Sequence, residues 1–294
     1  MACVIEIRDQ ELYVMVANKS KGKISVSRAF RVYLSDSLFK NNEVVFTESV
    51  INQISSAFEN HKIKDTKVQV VINHRIALTK DIIVPKTDNK KLGLIVENEM
   101  VSLFNLTKDF IVDYTVLDEV SQDGIQKIRT LTCAIRRSTL KGLENLFDAL
   151  GMKITSIDVA NVSFMNFVHK TNVVDTKEPM IIIDASSSYI RYYLFSDKKF
   201  VLMRTLYIHV DDDHIAISKR VLHVLELMSQ SQLKDTGKPV GRVKLLGFEK
   251  RFGMMSALSE TYLKMSTSVP NIFESISPED KELYDYGNTM GVLL

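Results

Sequence analysis

One pattern occurs twice in this chain of 294 residues, and it restricts the fold more than any other feature. Residues 180–183 are an unbroken apolar run that ends on Asp184, the form of a strand covered on both faces where it surfaces at its carboxyl end. A turn of small hydroxylated residues follows at 185–188, then a β-branched and aromatic strand at 189–195, a charged turn at 196–199 and a third strand at 200–208. The amino terminus repeats the plan, with a strand at 4–7 that contains Glu6, a polar turn at 8–11, a strand at 12–16, a Lys/Gly turn at 19–23 and a strand at 24–34. Glu6 and Asp184 take equivalent places, as do Arg28 and Arg204, so the chain is expected to carry a duplicated strand-turn-strand-turn-strand unit. The plainer alternative is that any two meanders look alike. An acid beside a small-residue turn between antiparallel strands is also a place where backbone N–H groups can hold a phosphate.

The remaining segments fall around these two meanders. Val50, Ile51, Ile54 and Phe58 recur at helical spacing behind Thr47, and residues 67–73 read as the next strand, so a helix is expected to cover one side of the first sheet. Residues 75–151 read as an inserted unit with its own core. It comprises a strand at 77–84 stopped by Pro85, an amphipathic helix at 90–104, a hairpin of 110–120 and 125–136 about Asp123 and Gly124, and a helix at 139–150 capped by Ser138. A strand at 153–158 and an apolar helix at 160–169 return to the first body, and the polar stretch 172–178 marks the main boundary. Beyond the second meander come a helix at 214–233, a strand at 240–246 leading into Gly247, a helix at 250–264, a short strand at 267–269 and a closing helix at 278–294. The expected domains are therefore 1–74 with 152–176, 75–151, and 177–294.

Bulk properties remove several functions. Lys and Arg total 38 against 36 Asp and Glu, so no global field attracts nucleic acid, and the charged stretch at 86–91 has no aromatic interleaving. No apolar run reaches the length of a membrane span and residues 1–7 carry no secretory pattern, which places the expected protein in the cytoplasm. Cys3 and Cys133 fall inside predicted strands and read as reduced core thiols, with no disulfide or metal role. The six histidines lack zinc-like spacing, and HVDDDH at 209–214 reads more simply as acids at a helix N-terminus than as a metal site. No Ser-His-Asp or Cys-His arrangement announces a catalytic nucleophile, so no catalytic residue is assigned.

In chain order, VVINHRIALTKDIIVP (70–85), KKLGLIVENEM (90–100), DYTVLDEV (113–120), ITSIDVANVSFMNFV (154–168), VKLLGFEKRFGMMSALSE (243–260) and DYGNTMGVLL (285–294) resemble successive segments of the PilM family, the FtsA-like proteins of type IV pilus assembly. The likeness extends over essentially the whole chain. It implies an α/β protein with the actin-like ATPase fold, built from duplicated ribonuclease H-like halves, with an inserted α+β subdomain and a reduced fourth subdomain. Actin-like ATPases hold the phosphate tail between two Asp-x-Gly hairpins, because glycine lets backbone N–H groups approach the phosphates. This chain has Glu6-Ile7-Arg8 at the first hairpin, Asp184-Ala185-Ser186 at the second, and Phe248 after Gly247 where a second glycine is usual. The resemblance thus marks Glu6, Arg8, Asp184, Ala185, Ser186, Ser187, Gly247 and Phe248 as a vestigial nucleotide site with weakened ATP and Mg²⁺ binding. Asp184 either organises a hydrated Mg²⁺ or caps its own turn. Arg8 either contacts phosphate or fills the abandoned site as a counter-charge between Glu6 and Asp184.

The resemblance also implies a scaffold peripheral to the inner face of the cell membrane. Its expected partner is the cytoplasmic N-terminal peptide of a PilN-like single-span protein, lying in the groove between the first subdomain and the inserted one, with the pilus assembly ATPase as a further contact. Extended peptides bind such grooves through backbone hydrogen bonds and alternate side chains, and Leu78, Ile82, Leu92 and Ile95 are the expected partner-binding residues. Two other readings stand beside this one. An FtsA-like ATPase or nucleotide-gated switch would depend on Asp184, and a small-molecule kinase would need a general base and a full fourth subdomain that the sequence does not display.

Overall fold

Residues Cys3 to Ile7 are all buried, and the reason is that β1 (Ala2–Ile7) has a strand on each edge and a packed layer on each face. The computed structural model describes residues 1–20, 23–122, 124–186, 188–208, 212–247, 251–278 and 280–294. It divides into two units, residues 1–167 with 288–294, and residues 168–287.

In the first unit β1 is followed by β2 (Glu11–Ser20), β3 (Lys23–Tyr33), a small hairpin of β4 (Phe39–Lys40) and β5 (Glu43–Val44), α1 (Glu48–Asn60) and β6 (Lys67–Ile72). The inserted segment contributes β7 (Leu78–Pro85), α2 (Asn89–Phe104), β8 (Phe110–Gln122), β9 (Ile125–Arg136) and α3 (Arg137–Ala149), and then β10 (Lys153–Val159) and α4 (Ala160–Lys170) follow. The main sheet runs β10-β6-β1-β2-β3, with β1, β6 and β10 parallel and β1, β2 and β3 antiparallel. One face packs Ile5, Val14 and Val70 against Ile54 of α1 and Leu143 and Phe147 of α3. Thr47 caps α1 through its side chain, as the sequence predicts. The cap residue of α3 is Arg136 and makes no side-chain cap bond, so Ser138 lies inside the helix instead of ahead of it.

The second unit holds β11 (Met180–Ala185), β12 (Tyr189–Ser196), β13 (Lys199–Tyr207), α5 (His214–Thr236), β14 (Arg242–Gly247), α6 (Phe252–Ala257) and β15 (Ser266–Ser268). Its sheet runs β13-β12-β11-β14-β15, again with three parallel strands and an antiparallel meander. The two sheets therefore share order and direction strand for strand. Glu6 lies opposite Tyr13 on β2, and Asp184 lies opposite Arg191 on β12, the same step of seven residues along each hairpin. Arg28 and Arg204 are not equivalent, because Arg28 pairs with Val16 whereas Arg204 pairs with Tyr192, two rungs out of step relative to the acids.

Two boundaries differ from the sequence reading. The division falls at 167/168, ahead of the polar stretch at 172–178, because Val173 and Lys244 are tied within the second unit by a 2.7 Å bond from Lys244 Nζ to the Val173 carbonyl. The closing segment is a 3-10 turn (Lys281–Tyr286) followed by α7 (Gly287–Leu293), and residues 288–294 belong to the first unit, not to the 177–294 domain. Gly291 is where that helix meets α4, since a Cβ there would collide with the Ser163 carbonyl. Val292 and Leu293 close the second face of the sheet against Val4, Val71 and Ala160.

Candidate functional site

Each acid-bearing hairpin pairs its acid with an arginine of its own unit, while Glu6 Oε2 is buried without a hydrogen-bond partner among the described residues. Glu6 is 0% exposed, and its Oε1 accepts hydrogen bonds from Arg8 Nε at 2.7 Å, from Asn73 Nδ2 and from Asn288 Nδ2 at 3.0 Å. The Arg8 guanidinium also lies 3.6 Å from the centre of the Tyr13 ring, with Arg31 at 4.9 Å from the same ring. Arg8 is therefore folded onto Glu6 and Tyr13, as a buried carboxylate requires of its counter-ion. Asp184 has its own partners, the Tyr189 hydroxyl donating at 3.3 Å and Arg191 Nη1 at 3.9 Å. Within its own unit each acid thus has an arginine, Arg8 for Glu6 and Arg191 for Asp184.

The turn after Asp184 uses its polar groups internally. Ser186 Oγ accepts the N–H groups of Ser188 at 3.2 Å and Tyr189 at 3.0 Å, and the Ser186 N–H donates to the Tyr189 carbonyl at 2.8 Å. Arg251 Nε donates to the Ser186 carbonyl at 2.7 Å. Gly247 has a φ of +87° and stands where a Cβ would collide with the backbone of Ala185, so the close approach of β14 to β11 accounts for it. Ser187 and Phe248 lie outside the described residues. Asn73, Asn288, Tyr13, Arg191 and Arg251 were not singled out from the sequence. Of these, Arg191 had a signal, since it stands seven residues after Asp184 in a hairpin built like the first.

The four expected partner-binding residues lie in or against the core of the inserted subdomain. Its sheet runs β7-β9-β8, and α2 covers one face of it. Ile82 and Leu92 are 5% and 1% exposed in that core, and Leu78 and Ile95 pack against it. Ile82 and Leu92 are therefore not free groove surface, which corrects the expectation for these two, whereas Leu78 and Ile95 remain partly exposed.

The opposite face of the same sheet borders a cavity of about 200 Å³ within the first unit. Leu131, Cys133 and Ile135, alternate residues of β9, form its floor, and Leu140 and Val162 close it from α3 and α4. Three consecutive residues of β8 (113–115) and three of β10 (157–159) also line it. Side chains alternate along a strand, so consecutive lining residues mean that the cavity runs along strand edges. β8 and β10 are the terminal strands of their sheets, and these edges have no strand partner among the described residues. Asn161 Nδ2 donates to Thr79 Oγ1 at 2.9 Å and ties α4 to β7 beside the cleft.

Two acids belong to this cleft. The Asp158 carboxyl is held above its ordinary range, first by burial and then by the charge of Asp113. Burial, with Asp113 adding to it, pushes the Cys133 thiol up to about 11, so that it stays protonated and inert near neutral pH. Cys3, in the main sheet, is pushed up to about 12 by burial. Among the described residues no group of three or more His, Cys, Asp and Glu side chains is placed to hold a metal ion. At the described end of HVDDDH, Asp213 caps α5 and Asp212 pairs with Arg220 at 2.7 Å; residues 209–211 lie outside the described residues. No described helix is long and apolar enough to cross a membrane.

No protein-family model matches the chain, and no curated protein matches it in sequence. Solved structures do match it in shape. PilM in the PilM-PilN type IV pilus biogenesis complex aligns over 99% of this chain and 96% of its own, with a TM-score of 0.78 and 14% identity. A Bacteroides thetaiotaomicron protein with an actin-like ATPase fold aligns over 98% and 95%, with a TM-score of 0.51 and 11% identity. The cytoplasmic domain of EpsL, an inner membrane component of the type II secretion system of Vibrio cholerae, aligns over 99% and 94%, with a TM-score of 0.51 and 9% identity. Two sheets of one topology, an inserted α+β subdomain and these full-length alignments together give the chain an actin-like ATPase fold in the form seen in PilM.

Proposed function

We propose that this chain is a docking scaffold of a pilus or related secretion or DNA-uptake machine. It holds the extended cytoplasmic tail of a PilN-like single-span protein in the cleft between β8 and β10, and so works at the inner face of the membrane without entering it. The observation that carries the reading is the cavity itself, apolar on its floor and bordered by two unpaired strand edges. An added strand gains backbone hydrogen bonds from such an edge and places alternate side chains in the cavity. Full-length similarity in fold to PilM and to the EpsL cytoplasmic domain supports the class of machine.

The test is fluorescence anisotropy of the labelled N-terminal cytoplasmic peptide of such a partner with the full chain. Saturable binding is expected, with Leu140→Arg and Val162→Arg weakening it by about tenfold or more, equivalent to about 1.4 kcal/mol. Binding that neither substitution weakens would overturn this placement.

In the same reading the hairpins no longer hold a nucleotide. A phosphate cradle needs free backbone N–H groups, and those of Ser186, Ser188 and Tyr189 are already used inside their turn. Arg8 is likewise committed to Glu6. Calorimetry with millimolar Mg-ATP is expected to give no binding heat; heat that disappears in Asp184→Ala would restore the ATPase reading.

A further inference from the structure

The docking cleft is lined by apolar side chains over most of its wall, yet it contains two carboxylates and no described lysine, arginine or histidine. Asp113 comes from β8, and its carboxylate accepts the Tyr114 N–H at 2.8 Å. Asp158 comes from the edge strand β10 and is half-buried, and its carboxylate has no hydrogen bond or ion pair to another described residue. The two are close enough that the charge on Asp113 raises the cost of ionising Asp158.

Asp113 is exposed at the rim of the cleft and Asp158 half-buried inside it, and three other carboxylates of this chain show what such an acid pairs with. Glu6 has Arg8, Asp184 has Arg191, and Asp81, on the same face of the inserted sheet, has Arg129. The residues that line the cleft supply no such cation for half-buried Asp158 or for its exposed neighbour Asp113, so a docked segment can bring one. A divalent ion is a poor match, because two carboxylates without a third His, Cys, Asp or Glu ligand are too few among the described residues. A cationic group on a docked segment is a good one. It would neutralise both acids in a cavity whose apolar walls reduce screening, while its apolar neighbours contact Leu131, Ile135 and Val162.

Resting on the docking reading above, we infer that the segment occupying this cleft carries one cationic group, a lysine or arginine side chain or a free amino terminus. That group sits between Asp113 and Asp158 and is flanked by apolar residues. The pair of acids therefore selects among apolar segments, rejecting those that are neutral or acidic at that position.

The experiment uses the full chain and a series of the partner peptide in which each lysine and arginine is replaced in turn by norleucine and the amino terminus by its acetylated form. One replacement is expected to weaken binding by about tenfold, and the others by less than about twofold. In the Asp113→Asn/Asp158→Asn variant the sensitive replacement should lose its effect, which assigns the coupling to these two carboxylates and not to general charge. The variant's melting temperature at pH 7 is expected to equal or exceed that of the parent, so weakened binding will not reflect unfolding. Binding of the whole series with equal affinity would overturn the inference and leave the docking reading standing. Absence of binding by every peptide would overturn both.

Discussion

At Asp158 two effects act in one direction, since burial and then the neighbouring Asp113 charge both favour the protonated carboxyl. The folded state therefore keeps this proton to a higher pH than the unfolded chain, whose carboxyl follows the ordinary value of 3.8. Between those two values the native state holds more protons, so stability falls as pH rises through the folded-state value. Asp158→Asn removes this loss. Thermal melts should place the variant above the parent at pH 7, with the gap closing as the pH drops below 3.8, where the parent's Asp158 is protonated in both states. A gap independent of pH would mean that Asp158 is not the titrating group. The same residue shows why a cleft acid can be selective, because a group destabilised by its own surroundings gains most from a cation brought by a partner.

The first hairpin behaves as a closed element. Arg8→Ala leaves Glu6 buried without its ion pair, and losses of this type are about 3–5 kcal/mol. The full cost is expected in chemical denaturation of the free protein, with or without Mg-ATP, whereas a phosphate-binding arginine would be dispensable for folding. The first strand of each hairpin was legible in the sequence as an apolar run with an acid at or next to its carboxyl end, and that pattern survives any detail of packing. The registers of the hairpins were not. Each hairpin has one bulge, but the tip of the first, Ser20 opposite Lys23, lies farther from Tyr13 than Ser196 opposite Lys199 lies from Arg191, which is why Arg28 and Arg204 looked equivalent and are not. Ile82 and Leu92 were assigned to the groove for a different reason. Helical periodicity in α2 identifies the face that is buried, so Leu92 and Ile95 were visible as apolar but lie in or against the subdomain's own core. A usable signal lay in β9, where Ile128 and Ala134 point one way and Leu131, Cys133 and Ile135 the other, a strand apolar on both faces that must be covered twice.

For the molecule as a whole, the course of the chain decides what supports the cleft. Residues 168–287 form one continuous unit, after which 288–294 rejoin the first. That short return makes more contacts than its length suggests. Asn288 donates to the buried Glu6, Met290 is fully buried, Lys19 Nζ donates to the Leu294 carbonyl at 2.6 Å, and Val292 and Leu293 pack on β1 and β6. These residues also touch the start of α4, where Ala160 and Ser163 flank Val162 of the cleft wall. Burial of one apolar side chain contributes about 1.5–3 kcal/mol, so losing Met290 with its two neighbours should cost the first unit at least about 3 kcal/mol. Hydrogen exchange on a chain ending at Gly287 tests this. Amides of β1 and β6 should lose protection by about two orders of magnitude or more, at 1.4 kcal/mol for each tenfold, while those of β11 and β12 keep theirs. Peptide affinity should fall in the same truncated chain because α4 loses its backing. Gly291→Leu, which forces a side chain against the Ser163 carbonyl, should reproduce both effects in milder form. Uniform loss of protection across both units would instead make the chain a single cooperative block, and the tail would have no particular hold on the cleft.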